Sequence, residues 1–206
     1  MTAGIRKLAP GRLVIATHNV DKLREMVALL EPYGMEVVSA GALGLPEPEE
    51  TGTSFVENAA IKAHSAASLS GLPALADDSG LCVPALGGEP GVYTANWAET
   101  ADGTRDWAQA MTRVHDRLAA LGPEVSRAAT FVSTLALAGP DGDIRFFEGR
   151  IDGTLVWPPR GDAGFGYDPM FVPLGETRTF AEMPFEEKQA NNHRARAFAA
   201  FVASAF

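Results

Sequence analysis

A lone cysteine, Cys82, rules out a disulfide within the chain and fits a reducing compartment. No apolar run approaches the length of a membrane-spanning helix, so a membrane partner is not expected. Residues 1–11, MTAGIRKLAPG, lack the hydrophobic segment of a secretory leader and read as a short extension ahead of a domain at 12–206. The chain therefore reads as cytoplasmic. Positive charge is also in short supply: 17 Lys and Arg against 26 Asp and Glu leave a net charge of -9. Without a cationic surplus to displace counterions, a nucleic-acid polymer is excluded as a general partner. A single anionic small molecule, held by a few placed cations and a metal, is not.

What remains is enough for one well-buried core: 206 residues, 46% hydrophobic and 21% charged, compatible with a single domain in two lobes. Residues 12–17, RLVIAT, are nearly continuous in apolar side chains, as in a strand buried on both faces. Asn19 is placed to cap a helix whose apolar positions are Val20, Leu23, Val27 and Leu30, with Met26 beside them. Asp21, Lys22, Arg24 and Glu25 take the other side, and Pro32 and Gly34 end the helix. A second strand follows at 35–40 and a Gly/Pro-rich loop at 40–52. Ser54 and Glu57 have capping-box spacing ahead of an alanine-rich helix to about Leu69. The pattern continues with a short strand at 72–76 and a helix at 104–121. Two β-rich stretches, 128–138 and 144–157, are joined through Pro-Asp-Gly-Asp, a hairpin signal. The class is α/β: two lobes around a long mixed sheet flanked by helices.

Four places carry more polar chemistry than folding needs. At the strand-to-helix junction Thr17–His18–Asn19–Val20–Asp21–Lys22, outward backbone N–H groups, the helix dipole and a full lysine charge suit a polyphosphate. In GLPALADDSGL, Asp77 and Asp78 leave an apolar run side by side. Either they sit in a strand-ending turn, or with Glu49 and Glu50 they supply hard oxygens for Mg²⁺, which accepts one or two carboxylates plus phosphates. Lys62 could neutralise that cluster or touch phosphate. In GDAGFGYDP, glycines allow close backbone approach, while Phe165 and Tyr167 offer ring faces for a purine, or pack into the core as a tight turn. Near the C-terminus, Lys188 and His193 would lie about 140° apart on one unbroken helix. An N-cap at Asn192 resolves this. The last helix then starts at His193, buries Ala197, Phe198, Phe201, Val202 and Ala205, and leaves Lys188 in the preceding loop. His193 and Arg194 in its first turn oppose the dipole, which implies a polar partner.

In this order, ADDSGL with ALGGEPGVY, GFGYDPMF, and EEK followed by HR resemble the inosine/xanthosine triphosphate pyrophosphatase family, from about Leu13 onward. The resemblance implies Mg²⁺-dependent hydrolysis of a non-standard purine nucleoside triphosphate (ITP, dITP or XTP) to the monophosphate and pyrophosphate, by a homodimer. It implies that Thr17–Lys22, His18 included, hold the triphosphate and that Asp78 binds metal and accepts a proton. Glu49 would be a further metal ligand and Ser79 a substrate contact. Phe165, Gly166, Tyr167 and Asp168 would surround the nucleoside, and Lys188, His193 and Arg194 would read the base. Two departures stand out: the family usually has glycine at position 18 and serine at 192. Donors facing the C6 oxygen of inosine or xanthosine would face the amino group of adenine, and unpaired buried donors reject a substrate by orders of magnitude. Rival readings are a Maf-type nucleotide pyrophosphatase with another base preference and a nucleotide sensor that does not hydrolyse. An aspartyl-phosphate phosphatase and a Cys82 nucleophile with His64 or His193 are others.

Overall fold

The computed structural model describes Leu8 and residues 11–206; the expected extension at 1–11 falls largely outside them. Six strands form one sheet in the order β2-β1-β3-β4-β5-β6. They are β1 (Arg12–Ile15), β2 (Glu36–Ser39), β3 (Ala74–Cys82), β4 (Ala128–Ala138), β5 (Ile144–Leu155) and β6 (Phe171–Pro173). β1 pairs in parallel with β2 and β3, and β5 pairs antiparallel with β6, so the sheet is mixed, as the sequence implies. The helices are α1 (Val20–Leu30), α2 (Phe55–Ser70), α3 (Trp107–Ala120), α4 (Phe185–Asn191) and α5 (His193–Ala205).

The chain divides into two compact units. One comprises Met1–Asp78, Ser133–Gly149 and Arg194–Phe206; the other comprises Ser79–Val132 and Arg150–His193. In the first unit, strand alternation separates two cores. Leu13 and Ile15 of β1, with Leu75, pack with Met26 and Leu30 of α1 and Phe198 and Phe201 of α5. Val14 and Ala16, with Ala74 and Ala76, meet Ala59, Ala63, Ala66 and Ala67 of α2. The alanines explain that helix's composition: side chains this small let it lie close against the strands. Its start is the expected capping box, with Ser54 and Glu57 each satisfying the other's backbone.

In the second unit, Leu81, Val83, Phe131, Ile151 and Leu155 pack against Ala110, Met111, Val114 and Leu118 of α3 and against Tyr167, Phe171 and Phe180. Along β5 the burial alternates strictly from Glu148 to Leu155, and β4 is buried over its last eight residues.

Three expectations need correction. The strand at 72–76 does not end before the aspartates; β3 carries both and continues to Cys82. Ser79 and Gly80 are turn formers by composition, but here extended pairing overrides that preference. On α1, Val20 is 76% exposed and Val27 41%, while Glu25 is buried beside Met26 and Leu30. The buried face is thus rotated from the one the apolar spacing picked out, because Glu25 has an ionic partner inside. Finally, Lys188 lies within helix α4, not in a loop. Asn192, extended at φ -78° and ψ 171°, breaks α4 from α5 at the expected place.

Candidate active site

In the first unit, β1 delivers the chain to the junction at Thr17. Asn19, at φ -81° and ψ 115°, caps α1 by accepting from the N–H groups of Asp21 at 2.9 Å and Lys22 at 3.1 Å. Its own N–H donates to Thr17 Oγ1, and the N–H of Leu23 donates to the Asn19 carbonyl. The outward cradle of free N–H groups expected here is therefore largely spent on capping, because asparagine satisfies two of the donors itself. Lys22 remains as the junction's full positive charge. His18 turns aside: its Nε2 donates to the Leu45 carbonyl at 3.1 Å, and Nδ1 stands 3.9 Å from Glu47. The imidazole thus ties the junction to the loop that carries the glutamates.

That loop is held at its far end too. Gly52 N–H donates to the side chain of buried Asn58 at 2.8 Å, and a Cβ on Gly52 would lie 2.5 Å from the same oxygen. Thr53 N–H donates to Glu57 at 2.7 Å. Glu50 accepts from Lys62 Nζ at 3.1 Å, and the same ammonium donates to Asp78 Oδ1 at 2.7 Å. Glu50, the supporting glutamate by sequence, is the one brought to Asp78; Glu49 is exposed beside it.

Adjacent strand residues face opposite ways, and this explains the doublet. Asp77 receives Lys22 Nζ at 3.0 Å and Arg194 Nη2 at 3.1 Å on Oδ2, and the Ser133 hydroxyl at 2.6 Å on Oδ1. Burial works to raise its carboxyl, but Arg194, Lys22 and Ser133 outweigh burial and hold it well below the usual range. Asp78 is the contrary case. Burial pushes its carboxyl up, Lys62 and Lys22 offset this only in part, and Glu50 adds repulsion. Lys62 is charged: burial opposes its ammonium, and Asp78 and Glu50 more than compensate.

The Oδ2 atom of Asp78 is buried and has no hydrogen-bond partner among the described residues. A buried carboxylate oxygen left unpaired is costly, and a divalent cation is one way to satisfy it. No cluster of three or more His, Cys, Asp or Glu among the described residues could hold a metal. The open Asp78 oxygen, with Glu50 on the same lysine, suits a hard ion that takes one or two carboxylates and completes its shell with other oxygens.

The second unit collects the aromatic and C-terminal residues. Asp168 accepts the Phe165 N–H at 2.8 Å and Lys188 Nζ at 2.7 Å, both groups of the ion pair being buried. Gly164, at φ +73°, has no room for a Cβ, which would lie 2.1 Å from Asp168 Oδ2. That glycine admits the turn's own carboxylate; its space is not left for a ligand. Lys188 Nζ lies 4.8 Å from the centre of the half-buried Phe165 ring. The two rings part company here. Tyr167 is buried edge-on against Trp107 with its hydroxyl donating to the Thr94 carbonyl, so it serves as core, whereas Phe165 is accessible for stacking. His193 stacks on Phe131 at 4.9 Å and 12°. Ser79, half-buried, follows Asp78 along β3.

Arg194 belongs to the unit that holds Lys22 and is bound to Asp77 and to buried Glu25. Sequence reasoning gave Glu25 and Ser133 no role in the site. Their signals are faint: Lys22 and Glu25 at i, i+3 on one helix face, and a Ser-Thr pair inside an otherwise apolar strand.

The Ham1 family model matches residues 13–204. A dITP/XTP pyrophosphatase of Brucella melitensis is 56% identical over 211 residues, covering 98% of this chain and 96% of the relative. The protein of that name from Ruegeria pomeroyi is 59% identical, over 94% and 95% of the two chains. Among solved structures, a HAM1 protein from Coxiella burnetii superposes with a TM-score of 0.85 at 37% identity, over 93% of this chain and 96% of that one. A nucleoside-triphosphatase / dITP/XTP pyrophosphatase from Mycobacterium abscessus gives 0.72 at 43% identity, over 93% and 98%. By sequence and by fold, this chain belongs to the Ham1 family.

Proposed function

We propose that the chain hydrolyses non-standard purine nucleoside triphosphates (dITP, ITP and XTP) to the nucleoside monophosphate and pyrophosphate, with Mg²⁺ as cofactor. The observation that carries this reading is the partnerless buried oxygen of Asp78, set against an ammonium that engages the other oxygen. Asp78 orients a water for attack on the α–β phosphoanhydride and takes its proton. A carboxylate raised by burial is better matched to that task than an exposed one. Bound Mg²⁺, held by Asp78 with Glu49 or Glu50, would supply positive charge to the phosphate oxygens. Lys22, anchored on Asp77, adds a cation at the start of α1 for the triphosphate. Phe165 offers a stacking face, and Lys188 and His193 offer donors to the C6 oxygen of the base; Ser79 is a further substrate contact. A homodimer in the cytoplasm completes the reading. Among the described residues no helix is long and apolar enough to cross a membrane.

A panel of triphosphates assayed for pyrophosphate, with and without Mg²⁺, tests it. Release from dITP, ITP and XTP, little from dATP or dGTP, and none without the metal is expected. Preference for a pyrimidine triphosphate would point to the Maf-type alternative, and binding without turnover to a sensor. Lys22→Ala removes the junction's cation and should raise the KM for dITP about tenfold, with a fall in kcat as well. Steady-state kinetics on the variant that match the unmodified enzyme would take Lys22 out of the site.

A further inference from the structure

Thr134 has no part in the reaction above, yet it carries a hydroxyl into the interior of the first unit. The residue is 0% exposed, and its Oγ1 has no hydrogen-bond partner among the described residues. A buried hydroxyl left unpaired is costly, and valine would fill the same place in a strand without that cost. From Phe131 to the end of β4 the only other polar side chain is Ser133, whose hydroxyl is bonded to Asp77. That bond decides which way Thr134 faces. β3 and β4 are neighbours in the sheet, and the 2.6 Å contact puts Ser133 and Asp77 on one face. Alternation then turns Thr134 and Asp78 together to the other face. The packing agrees: Ala136 and Ala138, in step with Thr134, join Ala74 and Ala76, in step with Asp78, against the alanines of α2. From that same helix Lys62 reaches Asp78 Oδ1.

Asp78 Oδ2 and Thr134 Oγ1 are thus two buried oxygens without partners, on adjacent strands and on one sheet face of the first unit. They are complementary, since a carboxylate only accepts and a hydroxyl donates. Cross-strand neighbours on one face stand roughly 5–8 Å apart at Cβ. One water closes such a gap between side chains too short to meet. We infer that Thr134 is a positioning residue for Asp78, its hydroxyl linked to the carboxylate through one buried water. Lys62 then restrains Oδ1, the Thr134 water restrains Oδ2, and the plane of the carboxylate is fixed. An ionised oxygen has a second lone pair, so Oδ2 stays available for the chemistry. A base that loses its orientation costs turnover more than substrate binding. The inference rests on the reading of Asp78 as the proton acceptor.

Thr134→Val keeps the β-branched shape and removes the hydroxyl. With dITP and Mg²⁺ it should lower kcat about tenfold and leave KM within about twofold. Thr134→Ser, which keeps the hydroxyl, should restore most of the turnover. A double-mutant cycle identifies the route: in an Asp78→Asn background, Thr134→Val should have no further effect on kcat, because the group it positions is gone. If the valine variant does not fold, Thr134→Ala set against Thr134→Ser makes the same comparison. An unchanged kcat in Thr134→Val overturns the inference and leaves Thr134 as a strand former. A tenfold loss that persists in the Asp78→Asn background also overturns it, and makes the role of Thr134 purely structural. Failure of Asp78→Asn alone to lower kcat overturns the reading of Asp78 together with the inference. A loss in Asp78→Asn with none in Thr134→Val removes the inference and leaves that reading standing.

Discussion

Asp78→Asn is expected to lower kcat for dITP about a thousandfold while leaving the protein folded, the scale of losing a positioned general base. The substitution keeps the shape of the side chain and its ability to accept from Lys62, so the geometry around Glu50 and Lys62 should persist. It removes the proposed proton acceptor and the unpaired anionic oxygen proposed to hold the metal. The stability consequence has a defined sign. A carboxyl raised above its ordinary value of 3.8 contributes stability that is complete below that value and is lost as the pH rises through the folded-state pKa. At neutral pH the ionised Asp78 therefore works against folding by itself, but it is also a counter-ion of buried Lys62, so its neutral isostere should melt close to the temperature of the unmodified protein. Turnover is then lost without a matching loss of stability. Pyrophosphate release and calorimetry on one preparation check both halves. A kcat within tenfold of the original would remove Asp78 from the catalytic role.

The contrast between Asp78 and Asp77 also marks how far the sequence could be read. Signals confined to a few neighbouring residues survived. The Ser54–Glu57 box starts α2, the hairpin signal joins β4 to β5, and Asn192 separates α4 from α5. These depend on backbone chemistry within a turn or two, which local composition encodes. The fates of charged residues did not survive in the same way. Glu25 reads as a solvent-facing helix residue because its partner, Arg194, is 169 positions away. Nothing local separates Asp77 from Asp78, and only the family resemblance singles out Asp78, although strand alternation gives one a pair of cations and leaves an oxygen of the other unpaired. The N–H groups at the Thr17–Lys22 junction read as available, but Asn19 consumes two of them. Of Phe165 and Tyr167, only burial distinguishes an accessible ring from a core ring. Long-range pairing decides each of these cases, and no periodicity records it.

Arg194→Met should be the most destabilising single change at this site, at about 3–5 kcal/mol, because it removes the guanidinium that buried Glu25 and buried Asp77 both engage. For a chain of this length that corresponds to a fall in Tm of roughly 10 °C. Methionine fills much of the volume, so the loss would report charge more than cavity. Adding Glu25→Gln to Arg194→Met removes one of the two buried carboxylates that the guanidinium engaged and should restore part of the loss, with a coupling of about 1–3 kcal/mol in the double-mutant cycle. The pH dependence follows from Asp77. Its carboxyl is depressed in the intact protein, so its contribution is complete above the ordinary value of 3.8 and is lost as the pH falls through the lower folded-state pKa. In Arg194→Met that depression shrinks. The stability gap between the two proteins should therefore be constant near neutrality and narrow only as the pH drops into the range where the variant's Asp77 takes up a proton. Denaturant titrations across that range read the gap directly. A gap that does not change with pH would mean that packing, not the ion network, accounts for the loss.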